Sequence, residues 1–170
     1  MIFLKTSDEI ERLRQANLLV GKALAEVAKI IEPGVTTKQL DKVAEEFIRD
    51  NGAIPTFKGY PNYDGTPFPG SICASVNDVV VHGIPNDVPL KEGDIISVDC
   101  GTKLNGFCGD SCYTFCVGEV DEETKNFFKL PKSHSTRVLN RQFMASVLVM
   151  WVVQYRHIAN RMVLALCVNL

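Results

Sequence analysis

The chain has 170 residues, 46% hydrophobic and 22% charged, with 18 basic and 20 acidic residues and a net charge of −2. That is enough for one soluble domain with a real core, and it leaves no surplus of positive charge for binding nucleic acid. The opening MIFLKTSDEI is too short an apolar run for a signal peptide or a membrane span, so no membrane partner is expected. Six cysteines (Cys73, Cys100, Cys108, Cys112, Cys116 and Cys167) show no disulfide-scaffold spacing and no Cys-x-x-Cys, which fits reduced core thiols and a cytoplasmic location.

Thr6-x-x-Glu9 is a capping box, and Ile10, Leu13, Asn17, Val20, Leu24, Val27 and Ile31 follow at helical spacing until Glu32-Pro33-Gly34 stops the helix. Thr36 or Thr37 caps a second helix with Leu40, Val43, Phe47 and Ile48 on one face, ended by Asn51-Gly52. Residues 53–70 form a loop rich in Pro, Gly and Tyr. Strands are expected at Ser71–Val76, Val79–His82, Asp94–Gly101 and Gly106–Val117, and EVDEETKNFFK starts another helix after Gly118. Two helices followed by a meander of strands predict an α+β layer.

The composition breaks near residue 130. All 20 acids and all 12 glycines precede it, while residues 130–170 hold five Lys/Arg and no Asp, Glu or Gly. A domain uses glycine in turns and acids on its surface. The apolar runs FMASVLVMWVV and MVLALCVNL are too short to span a membrane.

The chemistry concentrates in EGDIISVDCGTKLNGFCGD. Asn-Gly is a strong hairpin signal, and a turn with two or four loop residues puts Asp99 and Asp110 on the same face of the ribbon. Asp99 follows the apolar run Ile95–Val98, and Asp110 sits among Phe107, Cys108, Cys112 and Tyr113. Two carboxylates that close repel unless a cation lies between them, so the pair reads as half of a metal site. Surface hairpins also carry such pairs, and the residues alone leave that reading open. His82, at the end of VVVHGIP, reads as structural on its own. Cys108, Cys112 and Cys116 mimic the spacing of helical metal ligands, but on a strand they share a face with Asp110 and read as packing.

Residues 1–128 resemble the N-terminal half of the type I methionine aminopeptidases, in the pita-bread metallopeptidase family. The likeness rests on TSDEIERLRQANLLVGKAL, PGVTTKQLDKVAEEFIRDNGAIPTF, SICASVNDVVVHGIPND and LKEGDIISVDCGTKLNGFCGDSCYTFCVGE, the last two being specific for the family. The start of the chain lacks the zinc-finger extension of longer eukaryotic forms, which points to a bacterial or organellar origin.

The resemblance implies a pita-bread fold and removal of the N-terminal methionine from nascent polypeptides. Two divalent ions (cobalt, manganese, iron or zinc) would make a hydrolytic nucleophile available at neutral pH. Asp99 matches an aspartate that chelates one metal, and Asp110 matches one that bridges both. His82 matches a histidine that contacts substrate and stabilises the transition state. Cys73 matches a cysteine lining the methionine pocket, with Tyr60 near it. The intact form is expected to be a monomer. A non-catalytic pita-bread binding protein is the alternative; such proteins lose ligands by substitution, and here Asp99, Asp110 and His82 are retained. A proline-specific or creatine-type hydrolase on the same fold fits the VHGIP and CGTKLNGFCGD wording less well.

The family's site takes five protein ligands, and two glutamates, one histidine and a second catalytic histidine come from its C-terminal half. No glutamate follows Glu123, and His134 and His157 lie in the anomalous tail without a matching motif. The expected organisation is therefore an N-terminal half-domain at 1–129 and a non-homologous tail at 130–170, inactive by itself. Back-translated in a neighbouring frame, the tail regains glycine and acids (MVLALCVNL can become NGFGVVREL), which points to a frameshift near the codons for Phe128–Leu130. Sequencing about 400 bases past the Lys129 codon should reveal the continuation; an intact frame with no downstream continuation would sink the idea.

Overall fold

The structure, a computed structural model, describes residues 4–62 and 64–126. The chain forms two units, 1–120 and 121–170. In the second, residues 122–126 are helical, and Asp121 Oδ1 accepts the Thr124 N–H at 2.6 Å as a helix cap does. The rest of the tail lies outside the described residues, as do Cys167, His134 and His157.

Both helices of the first unit begin with reciprocal caps. For α1 (Ser7–Ala28) the Thr6 hydroxyl accepts the Glu9 N–H, while Glu9 Oε2 accepts the Thr6 N–H at 2.8 Å. For α2 (Thr37–Asp50) Thr36 and Gln39 make the same exchange, so Thr36 is the cap. Thr37 is instead buried, and its hydroxyl bonds the Asn86 backbone in both directions. The apolar stripe of α1 is Ala16, Leu19, Val20, Ala23, Leu24 and Val27; Ile10, one turn from the helix start, stays 55% exposed.

Among the described residues four strands form one antiparallel sheet: β1 (Ile54–Pro55), β2 (Ile72–Val76), β3 (Ile95–Leu104) and β4 (Phe107–Cys116). β4 pairs with the full length of β3. β2 and the short β1 pair with β3 at Ile96–Cys100 and Thr102–Lys103, so they share its other edge. One face of the sheet meets the helices. There Ile72, Ala74, Ile96, Val98 and Cys100 pack against Leu19, Val20, Leu24, Leu40 and Ile48 to make the core. The opposite face carries Cys73, Ser75, Ser97 and Asp99, as the two-residue strand period requires.

Val79–His82, expected as a strand, is not one. Asn77 leaves β2 in the left-handed region (φ 53°), its side chain bonding both Asp94 and the Ile95 N–H. The chain then turns back, and Gly83 O takes the Ala74 N–H at 2.8 Å. Gly83 has no room for a side chain, since a Cβ there would lie 2.2 Å from Ala74 O. Val80 is left 87% exposed, and an apolar run alone did not reveal that.

The helix layer closes most tightly at Gly109 in β4, where an added Cβ would meet the Ala16 and Asn17 backbone at 2.5–2.6 Å. The buried Thr102 hydroxyl donates to Ala16 O at 3.2 Å beside it. Replacing Gly109 by Ala should push α1 off the sheet and cost about 1–3 kcal/mol, read as a lower urea midpoint at unchanged slope.

Candidate active site

The β3–β4 turn contains two residues, Asn105 (φ 50°) and Gly106 (φ 86°), both in the left-handed region that such hairpins require. The register follows: Asp99 faces Cys112 and Gly101 faces Asp110. Asp99 and Asp110 are therefore diagonal neighbours on one face, the face away from the helices. On the other side of Asp99, β2 places Cys73 directly opposite it.

These residues line a cavity of about 540 Å³ together with Phe57, Tyr60, Pro61, Asn62, Phe68 and His82. The structure thus brings Asp99, Asp110, His82, Cys73 and Tyr60 to one place. The sequence reading missed Phe57, Pro61, Asn62 and Phe68. Their only signal is the aromatic-rich text PTFKGYPNYDGTPFPG, which says nothing of where the loop folds. The loop comes down onto Gly101, where a Cβ would strike Thr56 Oγ1 at 2.2 Å and the Phe57 ring at 2.8 Å. His82 stands exposed at the cavity with φ 57°, one residue before the Gly83 contact that fixes it. A non-glycine residue held in that region is uncommon and marks a backbone set by its surroundings.

Asp99 is half-buried, and its Oδ1 is buried without a hydrogen-bond partner among the described residues. Burial, and then the nearby Asp110 charge, push its carboxyl above the ordinary range, while the Cys100 backbone N–H and His82 pull the other way. Asp110 is more exposed than its apolar neighbours suggested, yet partial desolvation raises its carboxyl as well. Burial beside these two carboxylates lifts the Cys73 thiol to about 11, so at neutral pH it is a neutral, weakly polar wall. Cys108, Cys112 and Cys116 are exposed rather than packed, because nothing among the described residues covers their face of β4. Cys73 and Cys100 are buried free thiols, as expected.

An orphaned, half-buried carboxylate oxygen beside a second carboxylate is a donor set that suits a divalent cation. Among the described residues no group of three or more His, Cys, Asp or Glu is arranged to hold one, so the pair is a partial ligand set. No helix among the described residues is long and apolar enough to cross a membrane.

Residues 11–143 match the model of metallopeptidase family M24. The methionine aminopeptidase of Clostridium acetobutylicum is 50% identical over 133 residues, covering 78% of this chain and 51% of that protein. Methionine aminopeptidase 1 of Bacillus subtilis is 48% identical over 130 residues, 76% of this chain and 50% of its own length. Among solved structures, the methionine aminopeptidase of Rickettsia prowazekii superposes with a TM-score of 0.74 at 36% identity, covering 81% of this chain and 54% of that one. The chain spans about half the length of the curated relatives it matches. With its helix-backed antiparallel sheet and its carboxylate pair on the open face, the chain has the pita-bread architecture and belongs to metallopeptidase family M24.

Proposed function

We propose that Asp99 and Asp110 hold divalent metal in a methionyl aminopeptidase site, which removes the N-terminal methionine from nascent proteins in the cytoplasm. The observation that carries this reading is the buried Oδ1 of Asp99, without a hydrogen-bond partner among the described residues and beside Asp110, in a chain of a metallopeptidase family. Cobalt, manganese, iron and zinc all suit a carboxylate set completed by imidazole. When bound, such ions supply Lewis acidity and a nucleophile at neutral pH.

The chain's own residues do the rest. Phe57, Phe68 and the neutral Cys73 thiol form an apolar wall suited to a thioether side chain, with Tyr60 at its rim. His82, at the same cavity, is placed to donate a hydrogen bond to the carbonyl of the first peptide bond as charge develops there. Residues 1–129 serve as the N-terminal half of the catalytic domain, and 130–170 as a frameshifted tail.

Calorimetric titration of the full-length protein with its reading frame restored should show stoichiometric manganese uptake, with affinity about 100-fold lower, on the order of 3 kcal/mol, in Asp99→Asn or Asp110→Asn. A non-catalytic binding protein would show no uptake. Because both carboxyls are raised in the fold, protons compete with metal and affinity should drop as pH falls.

The same shift acts on the metal-free fold with a definite sign. A raised carboxyl binds its proton more tightly when folded than when unfolded, so its contribution to stability falls as pH rises from the ordinary value through the raised one. Asp99→Asn should accordingly raise the thermal midpoint of the metal-free chain, by a margin that widens between about pH 4 and pH 7. An unchanged margin would show that burial and the neighbouring Asp110 do not raise this carboxyl in the fold. With cobalt or manganese added, the 170-residue chain should release negligible methionine from a Met-Ala-Ser peptide; ready turnover would show that two carboxylates and His82 suffice.

A further inference from the structure

α2 packs against β1 and β2, the two strands that the aromatic loop joins. Two of its acids, Asp41 and Glu45, are four residues apart and so are neighbours on one helix face. Each grips one end of the loop. At the start Glu45 Oε2 pairs with Lys58 Nζ at 2.6 Å, while Arg49 holds Glu45 Oε1 at 2.9 Å. At the end the half-buried Asp41 accepts two backbone bonds on Oδ1, from the Ser71 N–H at 2.7 Å and the Ile72 N–H at 2.9 Å. Bonds to a charged acceptor are the strong kind, and these fix the point where β2 begins. Between its ends the loop bonds to itself. The Gly59 N–H donates to Phe68 O, the Phe68 N–H to Tyr60 O and the Asn62 N–H to Thr66 O, each at 2.8 Å. A segment tied in this way moves as one body, so its two ends decide where Phe57, Tyr60, Pro61, Asn62 and Phe68 stand in the cavity.

We propose that Asp41 and Glu45 are positioning residues: by holding both feet of the loop from α2, they set which side chain the aromatic wall admits. Neither acid lines the cavity itself. The placement of the wall stands on the contacts above, and its link to methionine rests on the reading of the cavity as an aminopeptidase site. Two buried thiols separate this role from a merely structural tie. Cys73 lines the cavity and is 6% exposed, whereas Cys100 lies in the core and is 1% exposed. A wall set loose uncovers Cys73 and leaves Cys100 covered, while loss of the fold uncovers both.

Alkylation of the full 170-residue chain by iodoacetamide, resolved peptide by peptide in a mass spectrometer, tests the placement. Cys73 should react about fivefold faster or more in Asp41→Ala and in Lys58→Met, with the Cys100 rate unchanged. Asp41→Asn removes a charge that helps to raise the Cys73 thiol but keeps an acceptor oxygen, so its Cys73 rate should match the parent chain. Lys58→Met breaks an exposed pair that contributes little to stability, and it decides the case should Asp41→Ala fail to fold. Cys73 and Cys100 accelerating together in Lys58→Met would overturn the proposal. So would an unchanged Cys73 rate there, or an Asp41→Asn rate as fast as that of a folded Asp41→Ala. In the full-length protein with its reading frame restored, Lys58→Met should lower the ratio of kcat/KM for Met-Ala-Ser over Leu-Ala-Ser about tenfold, with manganese uptake unchanged. A constant ratio would overturn the link to side-chain choice. No turnover of either peptide by the unaltered restored protein would overturn the methionyl reading, while the Cys73 rates still decide the placement of the wall.

Discussion

The two-residue turn at Asn105-Gly106 is the constraint on which the rest of the site depends. It sets the register of β3 against β4, and in a sheet the register decides which face every side chain meets. A slip of one residue in β4 would turn Asp110 toward α1 and bring Gly109 out to the cavity side. It would bury a charge and remove the one position where α1 can seat its Ala16 backbone against the sheet. The closeness of α1 and the placement of the carboxylate are thus two results of one turn. The helix defends the register as firmly as the turn does, since no residue with a side chain fits at 109 without moving it.

The two faces of the sheet do different work. The helix face is dry and well packed, with Leu40, Ile48, Ile72, Ile96 and Val98 wholly buried, and it supplies the stability. The other face is left with acids, thiols and hydroxyls, among them Ser97 and Thr114 bonded at 2.9 Å across the strands. It carries a pair of carboxylates whose repulsion the fold tolerates rather than relieves. Local destabilisation of this kind is ordinary at functional sites, where groups are held for a ligand rather than for each other.

What was legible in the sequence was what local chemistry dictates. Thr6-x-x-Glu9 and Asn105-Gly106 are punctuation with a direct backbone cause, and α1 begins and the β3–β4 hairpin turns where the text puts them, whereas α1 ends at Ala28, before Ile31 and ahead of Glu32-Pro33-Gly34. The shared face of Asp99 and Asp110 followed from the strand period together with an even-numbered turn at Asn105-Gly106. Val79–His82 failed because its apolar residues suit a strand while the outer edge of β2 is already taken by Gly83. Phe57 and Phe68 were missed because a loop's landing place depends on contacts distant in sequence, here the bare backbone at Gly101. The exposure of Cys108, Cys112 and Cys116 was also hidden, since a strand's pattern does not tell whether a further layer covers it.

The seat of Phe57 on Gly101 divides the cavity by the kind of element that builds each part. The carboxylates stand on two long strands paired with each other over their whole length and backed by the core, while the aromatic wall hangs from the loop between β1 and β2. Loops accept insertions and exchanges that strands do not. The shape of the aromatic wall can therefore change without disturbing the spacing of the acids, through variation at Phe57, Tyr60, Pro61, Asn62 and Phe68 alone.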